Sequence, residues 1–389
     1  MGECARHVNL GVDPARRSHM TKTSTAILLA LALAATLSAC DPTSPGPAPS
    51  GTASSDPTSS PKPEVVPITA PTPNLALDCD DLLSSASLAT LFTGGVTQVD
   101  PEQTIIEAAN LIPYKYAVEQ LGGIACEWSN GQPQSAKTGD NPLYRGTSVS
   151  VSPVSATEWA EFVSYYGVVG DRQVYCFDNC YADLLVAGRW WVEVGLQATD
   201  AADPLTSFTA EVTAIEAAIT SASPSGTSWA APAGTVALPA DCAAILPAAT
   251  VQTALALGTP LQASPPFGGV GLDGTARSQL NSLWCNYLLD GADVAAGSLH
   301  RLPGGEWAWN EARTFGLLGG PPVGVVVAGL EEGDSAWVRC PASGSCSVDV
   351  IVGHNWVQFV GFPDDVGSAA DRHLAIEQIA AAIVATVRA

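Results

Sequence analysis

Cysteine, histidine and acidic residues set the limits on chemistry in this 389-residue chain, which carries 10 Cys, 5 His and 38 Asp or Glu against 16 Lys or Arg. Three histidines lie beyond residue 40: His300, His354 and His373, all in the last third of the chain. A catalytic triad or an imidazole base would have to use one of these, and no Gly-x-Ser-x-Gly or His-Glu-x-x-His motif supports a hydrolase. A carboxylate pair could cleave glycosides, and Glu158 with Glu193 is the candidate. Glu158 also suits the first turn of a helix, where the dipole favours an acid. The chain therefore reads as a non-enzyme, with no cofactor and no metal. In a strand from Trp190, alternation places Trp191 beside Glu193 on one face, and Trp356 beside Gln358 in a later strand. An aromatic ring next to a polar group is a platform for a sugar or an apolar ligand, so these four are the candidate ligand-binding residues. Leu184 and Val186 are expected opposite them, which makes that face partly apolar and open to covering by a helix.

Cys40 stands apart from the other cysteines. It ends an uncharged apolar run from Ala26 to Ala39 that is preceded by Arg16, Arg17 and Lys22. The run fits a signal-peptide core and is shorter than the ~20 residues that span a bilayer. Leu37-Ser38-Ala39-Cys40 resembles a bacterial lipobox, and that resemblance implies diacylation of the Cys40 thiol, with acyl chains such as palmitate, and removal of residues 1–39. Met20 is better placed than Met1 to start such a signal, which would leave residues 1–19 untranslated. Two acyl chains give stable attachment where one is marginal. The expected location is the outer face of the cytoplasmic membrane, with the membrane as partner through diacylglycerol on Cys40.

Beyond Cys40 there are 12 Lys or Arg and 36 Asp or Glu, a net charge near −24. Such a surface repels phosphate backbones and excludes nucleic acid as a partner. Residues 40–74 are rich in Pro, Ser, Thr, Gly and Ala and read as a disordered tether with a reach of up to ~100 Å. A shorter stretch of similar composition, 221–237, separates two segments, 75–220 and 238–389.

These segments repeat each other. Leu77-Asp78-Cys79 returns as Ala240-Asp241-Cys242, Cys126-Glu127-Trp128 as Cys285-Asn286-Tyr287, and Glu158-Trp159-Ala160 as Glu306-Trp307-Ala308. Cys176 and Cys180 return as Cys340 and Cys346, and Gly188–Glu193 as Gly353–Gln358. This set of motifs is similar to the largely uncharacterised lipoproteins of actinobacterial envelopes, and scarce Lys with abundant Ala is consistent with such a source. The resemblance implies location and fold rather than activity.

Eight cysteines in an exported chain read as disulfides. Each repeat admits three pairings and the sequence does not choose among them; the set favoured here is Cys79–Cys126, Cys176–Cys180, Cys242–Cys285 and Cys340–Cys346. Zinc is the rival, but the late pair is spaced by three residues in one copy and five in the other. A disulfide loop tolerates that drift better than a metal knuckle.

Helical spacing marks Cys79–Phe92 and Glu158–Tyr166, and strand-like runs cover 125–129, 147–154, 181–187 and 190–198, the last two joined by a II′ turn at Gly188-Arg189. Asp203 and Pro204 open a helix with a stripe of Leu205, Phe208, Val212, Ile215 and Ile219. Ser368 with Asp371 caps its counterpart, with Ile376, Ile379, Ile383 and Val387. Each repeat is thus expected to be an α+β domain, an antiparallel sheet with packed helices stapled by disulfides. The function expected is a membrane-anchored extracytoplasmic binding or accessory module of the cell envelope, for a ligand or protein partner the sequence does not name. The alternatives are the substrate-binding subunit of an importer and a cell-wall hydrolase.

Overall fold

The computed structural model describes residues 68–99, 113–132, 135–136, 139–226, 228–291, 295–314, 322–340, 345–361 and 369–389. Cys40, the segment before it, the tether to residue 67 and Ser368 lie outside them. Val65–Ala389 form one compact unit. Its first half runs α1 (Cys79–Leu82), α2 (Ser85–Leu91), β1 (Thr97–Val99), a 3-10 turn (Pro113–Tyr116), α3 (Ala117–Gln120), β2 (Ile124–Ser129) and a small hairpin of β3 (Ser135–Ala136) and β4 (Gly139–Asp140). It continues with β5 (Gly146–Pro153), α4 (Ala156–Tyr166), β6 (Arg172–Cys176), β7 (Asn179–Val186), β8 (Trp190–Gln197) and α5 (Pro204–Ser221). The second half repeats the order: α6 (Cys242–Ile245), α7 (Ala248–Ala254), β9 (Leu261–Ala263), α8 (Leu272–Gln279), β10 (Trp284–Leu289), β11 (Ala295–Leu302) and α9 (Glu306–Thr314). β12 (Val323–Val325), β13 (Ser335–Arg339), β14 (Cys346–Val352), β15 (Asn355–Gly361) and α10 (Ala369–Val387) complete it.

Both sheets are antiparallel and share one strand order. The first is β1-β2-β5-β8-β7-β6 and the second β9-β10-β11-β15-β14-β13, with β12 added outside β13. The α+β class and the two sheet-bearing halves are as expected, and all four favoured disulfides are present. Cys79–Cys126 fastens α1 to β2 and Cys242–Cys285 fastens α6 to β10. Loop entropy gives such long crosslinks about 4 kcal/mol each.

The long helices cover one face of each sheet. Asp203 caps α5 through its carboxylate, which accepts from the Thr206 N–H, and Pro204 occupies the first helical position. Phe208, Val212, Ile215 and Ile219 are buried against Ala182, Leu184, Val192 and Val194. Leu205 is largely exposed, so the stripe starts one turn later than expected. Ile376, Ile379, Ile383 and Val387 of α10 are all buried on the second sheet. The β7–β8 link differs from a II′ turn. Val186 pairs with Trp190 across three residues, and both Ala187 and Gly188 have positive φ. In the second half Val352 pairs with Asn355 and Gly353 and His354 are both left-handed, a I′ arrangement that matches strand twist.

Residues expected in the two linkers are partly built into the fold. Asn74 donates its backbone N–H to Gly122 and accepts from Ser225, and Trp229 packs on Gly304. Arg301 is fully buried on β11 and donates to the carbonyls of Pro239, Ala240 and Asn281. It thereby fixes the chain entering α6 to the second sheet, and Val236 holds the end of the 221–237 stretch there by donating to Gly353 O and accepting from Asn355 Nδ2.

The opposite faces of the two sheets meet through an exchange. The 3-10 turn of the first half lies on β11, β15 and α9 of the second, while α8 lies on β5 and β8 of the first and against α3. Two small cores result, each with residues from both halves: Tyr116 with Leu302, Trp307, Trp309 and Trp356, and Leu272 and Ala276 with Trp159, Phe162 and Trp191. The polar contacts follow the same two-fold logic. Gln120, at the end of α3, donates to Pro303 O at 2.7 Å, and Gln279, at the end of α8, donates to Pro153 O at 3.4 Å. The buried Gln120 also accepts from the Trp307 indole N–H at 3.0 Å. Gln120→Ala leaves that indole and a carbonyl unpaired, so it should cost about 2–4 kcal/mol, read by calorimetry as a lower melting temperature of one undivided transition.

Candidate functional site

On these mutually facing sheet surfaces the two halves carry one constellation. Asp183 on β7 stands opposite Glu193 on β8, and Asp349 on β14 opposite Gln358 on β15. Each aspartate accepts from the tryptophan two residues before that partner, Trp191 Nε1 at 3.0 Å and Trp356 Nε1 at 2.9 Å. The expectation that Trp191 and Trp356 offer rings to a ligand is corrected. They are 1 % and 0 % exposed. Trp159 and Phe162 of α4 lie 5.4 and 4.4 Å from Trp191 between ring centres, and Tyr116 and Trp309 lie 5.9 and 5.5 Å from Trp356. Both tryptophans are core residues that hold the exchange together, and each indole N–H has the acceptor that a buried donor needs.

The halves then diverge. In the second, Asp349 is fully buried and also receives Gln358 Nε2 at 2.8 Å and Arg339 Nη2 at 3.2 Å. Burial raises its pKa, with Arg339 and the two neutral donors opposing. In register, Tyr175 takes the place of Arg339 in the first half and Glu193 that of Gln358. Asp183 is 8 % exposed and receives the Trp191 indole on one oxygen; no protein group among the described residues donates to the other. Its pKa is raised by burial against that one bond. Glu193 is half-buried beneath the start of α8, where Gly271, at a φ of 111°, brings no capping side chain. Its carboxyl is pushed up to about 8, first by burial and then by Asp273 and Asp183, with the Leu272 N–H and Arg277 pulling the other way.

Beside this acid pair the first sheet is open. Tyr175 and Tyr181 face each other across β6 and β7 with ring centres 5.7 Å apart, Phe177 stands 87 % exposed at the hairpin tip, and Tyr165 and Tyr166 project from the end of α4. Burial, then the neighbouring phenols and the carboxyls of Asp183 and Glu193, raise the pKa of Tyr175 and Tyr166. The result is an aromatic shelf with a carboxylate at its inner edge. Trp191 and Glu193 were singled out in sequence, whereas Asp183, Tyr175 and Asp349 were not. The signal was there: Asp183-Leu-Leu-Val-Ala-Gly is echoed by Asp349-Val-Ile-Val-Gly, a sixth repeat match.

The other candidates are structural. Glu158 and Ser155 form a capping box on α4, with Ser155 N to Glu158 Oε2 at 2.8 Å. His354 pairs with Glu306 at 2.9 Å and His373 with Glu377 at 3.2 Å. His300 is buried between Tyr114 and Trp284, its pKa lowered to about 3 by burial and then by Arg277, so it is neutral at physiological pH. A recess of 520 Å³ is lined by Pro71, Asp78, Asp80, Glu119, Trp307 and Glu311 among others. Among the described residues no His, Cys, Asp or Glu group of three is set to hold a metal ion, and no helix is long and apolar enough to cross a membrane.

Comparison with protein-family models, curated proteins and solved structures finds no match to this chain.

Because the folded state holds a proton on Glu193 more tightly than the unfolded chain, stability should fall as pH rises from about 4.5 to about 8. Glu193→Gln, the residue the second half already carries, should remove that part of the decline. Urea melts at pH 5 and pH 8.5 check this: the variant should gain on wild type at the higher pH and not at the lower.

Proposed function

We propose that this chain is a membrane-anchored extracytoplasmic lipoprotein that acts as a binding or accessory module of the cell envelope, with the aromatic shelf of the first half as its binding face. The anchor is diacylglycerol on Cys40, which places the folded unit at the outer face of the cytoplasmic membrane. The Leu37-Ser38-Ala39-Cys40 segment supports the anchor, and four disulfides support an oxidising compartment.

One observation carries the binding role. At the same place in two otherwise matching sheets, the second half closes its acid with Arg339 and Gln358. Among the described residues, the first half gives Asp183 the Trp191 indole alone, near Tyr175 and Tyr166. Exposed aromatic rings beside a desolvated acid are costly for folding alone and suit recognition. The importer alternative needs two lobes that close on a solute. The 3-10 turn and α8 each pack on the opposite half, which argues against such a hinge.

Growth of a producing actinobacterial host with an alkyne-tagged palmitate tests the anchor. Wild type should be labelled and sediment with membranes, and Cys40→Ser should be unlabelled and released. A wild-type chain with a free, unlabelled Cys40 thiol would overturn the anchored reading.

A further inference from the structure

The second half differs from the first in a further respect, at the sheet edge next to the shelf. β12 covers the outer edge of β13, with Val323 opposite Val338, Gly324 opposite Trp337 and Val325 opposite Ala336. In the first half the chain passes from α4 to β6 through 167–171, too short a connection to supply such a strand, whereas 315–334 does so in the second. β6 therefore ends its sheet, and no described strand pairs with its outer side. An unpaired edge is a template for strand addition. The second half thus provides from its own chain two things the first half lacks: a strand on the edge and a guanidinium on the aspartate.

We infer that the first half takes both from a partner, an extended polypeptide segment bearing an arginine, which adds as a strand to β6 and sets its guanidinium against Asp183. The inference rests on the shelf as binding face and names its ligand class. A residue opposite Gln173 on the added strand shares the face of Asp183, because Gln173 and Asp183 are themselves a cross-strand pair. It lies two strand spacings away, about 10 Å, within the reach of an arginine side chain and a hydrogen bond. The path runs over Gln173 and beside Tyr175, which lies on the same face of β6 two residues along, and a planar guanidinium stacks on such a ring better than an ammonium. The open Asp183 oxygen accepts from it as Asp349 accepts from Arg339 at 3.2 Å. A chain near −24 beyond Cys40 also attracts a cationic segment.

The test titrates residues 41–389, disulfides intact, with the blocked pentapeptide acetyl-Thr-Val-Arg-Val-Thr-amide, followed by calorimetry and NMR. Three matched probes and variants accompany it: the citrulline counterpart, which keeps shape and loses charge; a form N-methylated at both valines, which cannot pair as a strand; and the chain variants Asp183→Asn and Tyr175→Arg. The arginine peptide should bind, with citrulline and Asp183→Asn each weakening it by about tenfold or more. N-methylation should abolish binding, and Tyr175→Arg, which installs the second half's own guanidinium, should block it in a chain that melts no lower than wild type. Tyr175→Arg keeps the test decisive if Asp183→Asn disturbs the Trp191 bond and folding. Equal affinity for arginine and citrulline peptides, binding unchanged by Tyr175→Arg, or no binding at millimolar peptide would overturn the inference. So would binding that emerges only after residues 41–67 are removed, which would assign the edge to the chain's own tether. A chain labelled at Cys40 that ignores the peptide loses this inference and keeps its anchor.

Discussion

The exchange of the 3-10 turn and α8 between the halves is the constraint on which the rest of this structure depends. Each sheet has one face closed by its own long helix, α5 or α10, and a second face bearing a buried tryptophan and an acid. A short helix of the same half, α4 or α9, covers part of that second face. What remains is closed by Tyr116 of the 3-10 turn on the second sheet and by Leu272 and Ala276 of α8 on the first. Neither half holds all the apolar surface its own tryptophan needs, so each completes the other. The Gln120–Pro303 and Gln279–Pro153 contacts show the same relation in polar form.

Once that exchange is in place, the acids beneath it must be dealt with locally, and the two halves do so differently. The second half follows the ordinary rule for buried charge: Asp349 is enclosed by an arginine, an amide and an indole. The first half keeps the indole, replaces the arginine with a tyrosine and the amide with a carboxyl, and has no described strand on the neighbouring sheet edge. A duplicated fold that gives its acid an arginine and an amide in one copy and neither in the other has a built-in comparison, and the difference falls where the exposed aromatic rings gather.

The fold was legible in the sequence wherever period and punctuation were strong. Asp203-Pro204 with its apolar stripe, the alternating strands from Trp190 and the paired cysteines each rest on local chemistry that the final structure keeps. The repeat itself was readable from five short matches. The relation between the repeats was not, because the 3-10 turn and α8 are short, weakly patterned segments whose buried Tyr116, Leu272 and Ala276 pack on the other half. Tertiary packing decides such elements, and sequence period carries little of it. The same gap misplaced the tryptophans. Alternation correctly set Trp191 and Trp356 on the face away from the long helices, and that face was then closed by residues distant in sequence. Asp183 was missed because a lone acid in an apolar strand carries no spacing signal of its own, and its echo at Asp349 stands four residues before Gly353 where Asp183 stands five before Gly188.

Scanning calorimetry of residues 41–389 with all four disulfides intact tests the central claim most directly. If each half completes the other, heating should give one transition whose calorimetric and van't Hoff enthalpies agree. Two resolved transitions, one from each half, would show that the halves stand alone and would contradict it.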